Sequence, residues 1–350
     1  CVRINLIYRL ILHWTRVVVA IKKPLNYNYK AYIYMTEKEI TIGISRCLLG
    51  QAVRFDGSHQ KNSYATGILS DYFELQGICP EVESGMSIPR PTIHLRGSQD
   101  KPILVEVMKP ENDHTEQMET FSKKKVKQLD NLSGFILKSK SPTCGMERVK
   151  IYQETPKQPL MGVGLFAKEL IAHYPLLPVE EEGRLNDHTL RENFIERIFV
   201  YHRWNKIVAN QLTAKSLLDF HTEHKLTLLA HHQQTYRELG KDLADLKGKD
   251  INEFSKGYIT KFMNGMKHKA NRKSHTNVLM HIQGYFKDVI DGDDKAELKD
   301  SIERYLNGQL PLIVPITLLK HHLRRHQDPY LLNQRYLFPY PEELMLRNHI

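Results

Sequence analysis

Ile40-Thr41-Ile42-Gly43-Ile44-Ser45-Arg46-Cys47-Leu48-Leu49-Gly50 is a short β-branched run that ends in a turn carrying a cysteine. Two later stretches repeat the arrangement. Tyr72-Phe73-Glu74-Leu75 leads to Gly77-Ile78-Cys79-Pro80-Glu81, and Gly134-Phe135-Ile136-Leu137 leads to Lys138-Ser139-Lys140-Ser141-Pro142-Thr143-Cys144-Gly145. Runs of this kind, closed by turn residues, read as strands. In an open, mostly parallel α/β sheet the loops after the strands' carboxyl ends converge on one crevice, so Cys47, Cys79 and Cys144 are expected to meet there.

Three protein ligands on a metal centre leave one coordination position open for a substrate atom, which is what catalysis needs. Other readings compete. Buried cysteines pack as small hydrophobes. A three-cysteine zinc site is a further candidate, although the P-C-x-x-C half of the zinc-deaminase signature is absent. A disulfide would leave one of three similar cysteines unpaired, and nothing points to an oxidising compartment; a cytoplasmic protein is expected. Spacing alone leaves iron–sulfur and zinc open.

Several linked motifs narrow the choice. Cys47-Leu48-Leu49-Gly50 is followed by Val53-Arg54-Phe55-Asp56-Gly57, then by Cys79-Pro80-Glu81 with Gly85 and Pro89-Arg90, then by Lys138-Ser139-Lys140-Ser141-Pro142-Thr143-Cys144-Gly145. In that order, over residues 38–180, the chain resembles the thiouracil desulfidase family. The resemblance implies a [4Fe-4S] cluster bound through three irons by Cys47, Cys79 and Cys144, with the fourth iron free to take a thiocarbonyl sulfur. It also implies catalytic roles for Glu81 and Ser141.

Four further residues are candidate substrate contacts. Asp56 can orient a site group, although Asp-Gly is more often simply a turn. Arg90, in a proline-bounded loop, suits an anion or a base edge. Lys138 and Lys140 are expected on one face of a strand by alternation, carried toward the cysteine loop.

The 350 residues suggest two domains, and 41% hydrophobic content suffices for packed cores. Residues 1–34 form an upstream extension with Met35 as the expected natural start, and Cys1 is not a ligand candidate. The apolar stretch 5–21 is broken by Arg9, His13 and Arg16, which argues against a spanning helix, so no membrane is expected. Residues 35–182 make the cysteine domain and 183–350 an all-α domain. Of the net charge of +10, the cysteine domain carries almost none: residues 36–183 hold 18 Lys and Arg against 20 acids, whereas 184–350 hold 26 against 20.

Beyond residue 183 the pattern is helical: Thr189–Val208, Ala214–Ala230, Gln234–Leu246, Ile251–Met266, Thr276–Val289, Ala296–Asn307 and Pro315–His326. Its basic stretches are candidate polynucleotide contacts: Lys261, Lys267, Lys269, Arg272 and Lys273 in one run, Arg203 with Trp204 as a stacking ring, and Arg324 with Arg325. The alternative is an ordinary solvated face. Adjacent His231-His232 and His321-His322 are assigned to surface or packing, because neighbouring histidines point to different helix faces.

Lys267-His268-Lys269 and the stretch from Arg272 to His281 resemble a YbgA-like domain. The order of the two domains resembles bacterial fusion enzymes that remove sulfur from 4-thiouridine in tRNA. This implies a non-redox, cluster-dependent reaction giving uridine and sulfide, with Glu81 as general base and Ser141 orienting water or base. There is no glycine-rich dinucleotide fingerprint, so neither nicotinamide nor flavin is expected. Salvage of free thiouracil and a non-catalytic, cluster-containing RNA sensor are the rival functions.

Overall fold

The computed structural model describes residues 39–153 and 158–350. The extension 1–34 and its Met35 start lie outside the described residues. Thr41–Ser45 (β1), Glu74–Ile78 (β2), Leu132–Leu137 (β5) and Val179–Glu181 (β8) form one sheet in the order β2-β1-β5-β8, with every neighbouring pair parallel. The three strands foreseen ahead of the cysteines therefore lie side by side with β1 in the middle. Strands buried on both faces read as near-continuous apolar runs, and β5 is buried along its whole length.

A second sheet, of which the sequence alone shows only Pro102–Val107 as an alternating strand, joins Ile93–Gly97 (β3), Pro102–Glu106 (β4), Val149–Tyr152 (β6) and Leu160–Gly162 (β7) in the order β4-β3-β6-β7. It is mixed: β3 pairs antiparallel with β4 and parallel with β6, and β6 pairs antiparallel with β7.

Helices cover both faces of the parallel sheet. On one side, Thr115–Val126 (α1) and Leu165–His173 (α2) bring Val126, Phe166, Ala167 and Leu170 against Phe135 and Leu137. On the other, Ile40, Ile42 and Ile44 meet Phe194, Ile195, Ile198 and Phe199 of His188–Ala209 (α3), the first helix after the sheet. Gly134 makes this contact close, since a Cβ there would sit 2.7 Å from Ile198. A full exchange of Ile198 for Ala would cost about 2–5 kcal/mol in such a core. Asp187 caps α3, accepting the Leu190 N–H at 2.9 Å.

The remaining chain is helical: Ala214–His231 (α4), Gln233–Ala244 (α5), Ile251–Met266 (α6), Arg272–Gln283 (α7), Gly292–Leu306 (α8) and Ile313–Arg325 (α9). Helix α7 begins before the expected Thr276 because Asn271 and Ser274 form a reciprocal capping box. Among the described residues no helix is long and apolar enough to cross a membrane.

The tail after α9 is tied to α3 by a buried polar network. The Arg347 guanidinium donates to Glu192 Oε1 at 3.2 Å and to the Tyr336 carbonyl at 2.6 Å, and Tyr340 Oη donates to the same Glu192 oxygen at 3.0 Å. His231 Nε2 lies 2.8 Å from Glu196 Oε2. Glu192, Glu196, His231, Tyr336 and Arg347 are buried, and burial raises the Glu192 carboxyl above its usual range, with the Glu196 charge adding. Arg347→Met would leave Glu192 without its cation while Glu196 keeps His231, and breaking a buried pair on one side costs about 3–5 kcal/mol. A clear fall in melting temperature is expected; an unchanged one would show the network to be dispensable.

Candidate active site

The three cysteines line one cleft of about 370 Å³ at the carboxyl ends of the parallel strands. Cys47 sits in the single turn Arg46–Leu49 that follows β1, Cys79 directly follows β2, and Cys144 lies in the loop after β5. All three are free and buried. Burial pushes the Cys47 thiol up to about 11, with the neighbouring Cys79 adding to the effect. Burial also raises Cys79 and Cys144, and a hydrogen bond from Ser45 partly opposes the shift at Cys144. As bare thiols they are therefore protonated at neutral pH, and a metal centre would have to displace their protons to gain thiolate ligands.

Cys79 and Cys144 are each held by a side-chain acceptor on the backbone N–H. Glu83 Oε1 accepts the Cys79 N–H at 3.0 Å and the Arg46 guanidinium at 2.6 Å, while Lys125 approaches the other carboxylate oxygen at 2.8 Å. Ser141 Oγ accepts the N–H of Cys144 at 3.1 Å and that of Thr143 at 3.3 Å. Behind this loop the start of α2 comes so close that a Cβ on Gly164 would fall 2.5 Å from the Thr143 carbonyl carbon. A side chain there would have to displace the loop that presents Cys144.

Glu81 and Ser141, far apart in sequence, are joined through Thr143. The Thr143 hydroxyl donates to Glu81 Oε1 at 2.9 Å and lies 3.0 Å from Ser141 Oγ. The other Glu81 oxygen receives Arg90 Nε at 3.0 Å and the Arg90 terminal nitrogen in a short ion pair. Arg90 is itself fixed by the Val53 carbonyl at 3.0 Å. Arg90 thus lines the cleft as the residue that positions Glu81, with its nitrogens already engaged by protein acceptors.

Thr143 was not singled out from the sequence, where it reads as one more turn residue before a cysteine. Thr143→Val keeps the volume and removes the hydroxyl that links Glu81 to Ser141. A fall in kcat of about tenfold or more is expected, within what positioned proton transfer supplies, with metal content unchanged. Full kcat would show that the link plays no part.

The other candidates are distributed unevenly. Lys138 and Lys140 line the cleft, but β5 stops at Leu137, so both reach it from the turn and not by strand alternation. Lys138 makes an ion pair with Glu182, whose other oxygen accepts the Ser139 N–H at 2.7 Å. Asp56 is exposed and serves its own turn, accepting the Ser58 N–H at 3.0 Å and the Ser58 hydroxyl at 2.6 Å. Those bonds lower its carboxyl pKa. The turn reading is the one realised.

In the helical half, Trp204 is buried against Phe220 and Tyr258, with ring centroids at 5.2 and 5.8 Å, so it fills a core and offers no stacking surface. Arg272 donates to the Tyr305 carbonyl at 2.8 Å and the Leu310 carbonyl at 3.1 Å while lying over the Tyr305 ring, a brace between helices. Arg203 donates to the Pro339 carbonyl of the tail. Lys261 pairs with Asp242 at 2.7 Å. Lys267, Lys269, Lys273, Arg324 and Arg325 are exposed. His231 and His322 are buried packing residues.

Among the described residues no group of three or more His, Cys, Asp or Glu is arranged as a single metal ion requires. The donor set nevertheless suits an anionic group larger than one ion. Three thiols come from three separate strand ends, and five basic residues line the same cleft against one acid, Glu81.

Comparison with known proteins places these features. Residues 42–182 match the family described as 2-thiouracil desulfurase, and residues 225–341 match a family of unknown function, DUF1722. The Escherichia coli K12 protein described as uncharacterized protein YbgA is 36% identical over 166 residues, which make up 47% of this chain and 95% of YbgA. A solved structure described as the [4Fe-4S]-dependent thiouracil desulfidase TudS is 25% identical, with a TM-score of 0.35, covering 42% of this chain and 94% of that one. The chain thus belongs to the YbgA family and joins its YbgA-like part to a domain of the 2-thiouracil desulfurase family.

Proposed function

We propose that the protein removes sulfur from a thiolated uracil, in the form of 4-thiouridine in tRNA, and yields uridine and sulfide in a cytoplasmic reaction without net electron transfer. The observation that carries the reading is the single cleft in which three buried thiols face the linked set Arg90, Glu81, Thr143 and Ser141. Cys47, Cys79 and Cys144 would hold a [4Fe-4S] cluster. When bound, that cluster supplies a Lewis-acidic iron with one open position for the thiocarbonyl sulfur.

The chain's own residues do the rest. Glu81 accepts a proton from water at the Oε1 end that Thr143 orients, and the water oxygen adds to the carbon of the C=S bond. Ser141 holds both the Cys144 loop and the Thr143 hydroxyl, so the base and the metal-binding loop keep a fixed relation. Arg90 stays on Glu81 throughout and keeps the carboxylate aimed into the cleft. Thiocarbonyl and water become carbonyl and hydrogen sulfide, so no oxidant or reductant is consumed. Arg54 and Lys140, on the cleft wall, suit the negative charge that develops on sulfur.

The family description, 2-thiouracil desulfurase, supports removal of sulfur and equally favours the free base as substrate. The basic balance of the helical half, with exposed Lys267, Lys269, Lys273, Arg324 and Arg325, supports a polynucleotide. The test is anaerobic incubation of cluster-reconstituted protein with bulk tRNA and, separately, with free thiouracil, following thiocarbonyl absorbance and released sulfide. Turnover of tRNA is expected. Turnover of the free base alone would move the enzyme to salvage, and turnover of neither would leave a cluster-containing binding protein.

A further inference from the structure

A second recess, of about 480 Å³, opens on the outer face of the mixed sheet and is lined by Ile93, His94, Arg96, Val107, Tyr152 and Gln153, among others. Ile93 also lines the cysteine cleft, so the two recesses adjoin along β3. Strand alternation explains the lining. Leu95 and Ile151 point inward to a core with Leu104 and Met118, which turns His94, Arg96 and Tyr152 outward.

The outward residues form one surface. Arg96 and Tyr152 are register partners on β3 and β6, and the His94 and Tyr152 rings lie 4.8 Å apart, centroid to centroid. Tyr152 remains 41% exposed at the end of β6. Lys150, two residues earlier on the same face, is exposed as well. The chemistry proposed at the cysteine cleft makes no use of this surface.

We propose that this face of the mixed sheet seats the nucleotide next to the thiolated one in an RNA strand, with its base on Tyr152 and its phosphate by Arg96 and Lys150. Open aromatic rings on a sheet take unstacked bases, and neighbouring cations take the backbone; base–aromatic stacking of this kind is worth about tenfold in affinity or more. The inference rests on the reading that the thiolated base is presented within RNA.

Steady-state kinetics with a short single-stranded oligonucleotide containing one 4-thiouridine tests it in the cluster-loaded full chain. Tyr152→Ala and Arg96→Gln are each expected to raise KM about tenfold with kcat, iron content and melting temperature as in the wild type. An unchanged KM in both would overturn the proposal. Should the wild type turn over free thiouracil only, the RNA reading itself fails. The surface is then judged by fluorescence anisotropy of a labelled uridine octamer: about tenfold weaker binding by both variants would retain it as a nucleotide seat, and equal binding, or none by the wild type, would overturn it.

Discussion

Cys144→Ala is expected to abolish desulfuration and to leave the purified protein with much less iron than the wild type. The loss should exceed the 10- to 100-fold, roughly, that removal of an outer-shell partner costs, because a ligand itself is gone. Cys144 is the deepest of the three thiols, and its loop is fixed from three sides: by Ser141 Oγ on its N–H, by Ser45, and by the close approach of Gly164. Among the described residues no further cysteine is available to replace the lost sulfur. The protein should still fold, since the change removes one small apolar atom from a loop pinned by backbone hydrogen bonds. Iron and acid-labile sulfide content, the visible absorbance of the anaerobic protein and the desulfuration rate would be measured together. Wild-type iron with wild-type rate would remove Cys144 from the ligand set.

Glu81→Gln separates chemistry from cofactor retention. The amide keeps the shape and can still meet Thr143, but it cannot take a proton and no longer pairs with the charge on Arg90. The expected result is full iron content with kcat lowered by about 100- to 10,000-fold, the range that a positioned acid–base group supplies. A variant that kept wild-type kcat would shift the general-base role to another group. Arg90→Lys is the informative companion: a lysine cannot grip Glu81 through two nitrogens, so an intermediate loss marks positioning and not proton transfer.

Much of this site was legible in the chain because strand-then-cysteine is a local pattern. The three runs before Cys47, Cys79 and Cys144 pair as neighbouring parallel strands, and the loops after them converge as an open sheet requires. The helices of the second half, too, follow their apolar spacing closely. Of the mixed sheet only the strand at Pro102–Val107 was legible, although Thr92-Ile93-His94-Leu95-Arg96-Gly97 and Val149-Lys150-Ile151-Tyr152 both alternate apolar and polar residues as well. Short strands with charged outward positions resemble loops until a partner strand is known.

Partnership across sequence was the other blind spot. Thr143, Glu83 and Glu182 matter through Glu81, Arg46 and Lys138, which lie 62, 37 and 44 residues away, and no local pattern encodes that. The reverse error was to read Trp204 and Arg272 as surface groups because their neighbours are charged. A tryptophan and an arginine among polar residues on an amphipathic helix are as easily the wall of a core, and here both are.

Helix α3 also has a consequence for how the two halves can be exchanged. Its Phe194, Ile195, Ile198 and Phe199 cover one side of the parallel sheet, and Arg347 at the far end of the chain fastens that helix in place. A protein shortened to end near residue 182 would keep every cysteine and expose the back of the strands that present them. The cysteine half is therefore not a portable cassette. Any recombination that gives it a new partner must bring along a substitute for α3, and a helical half transplanted without its own tail would arrive with two buried carboxylates and no arginine to meet them.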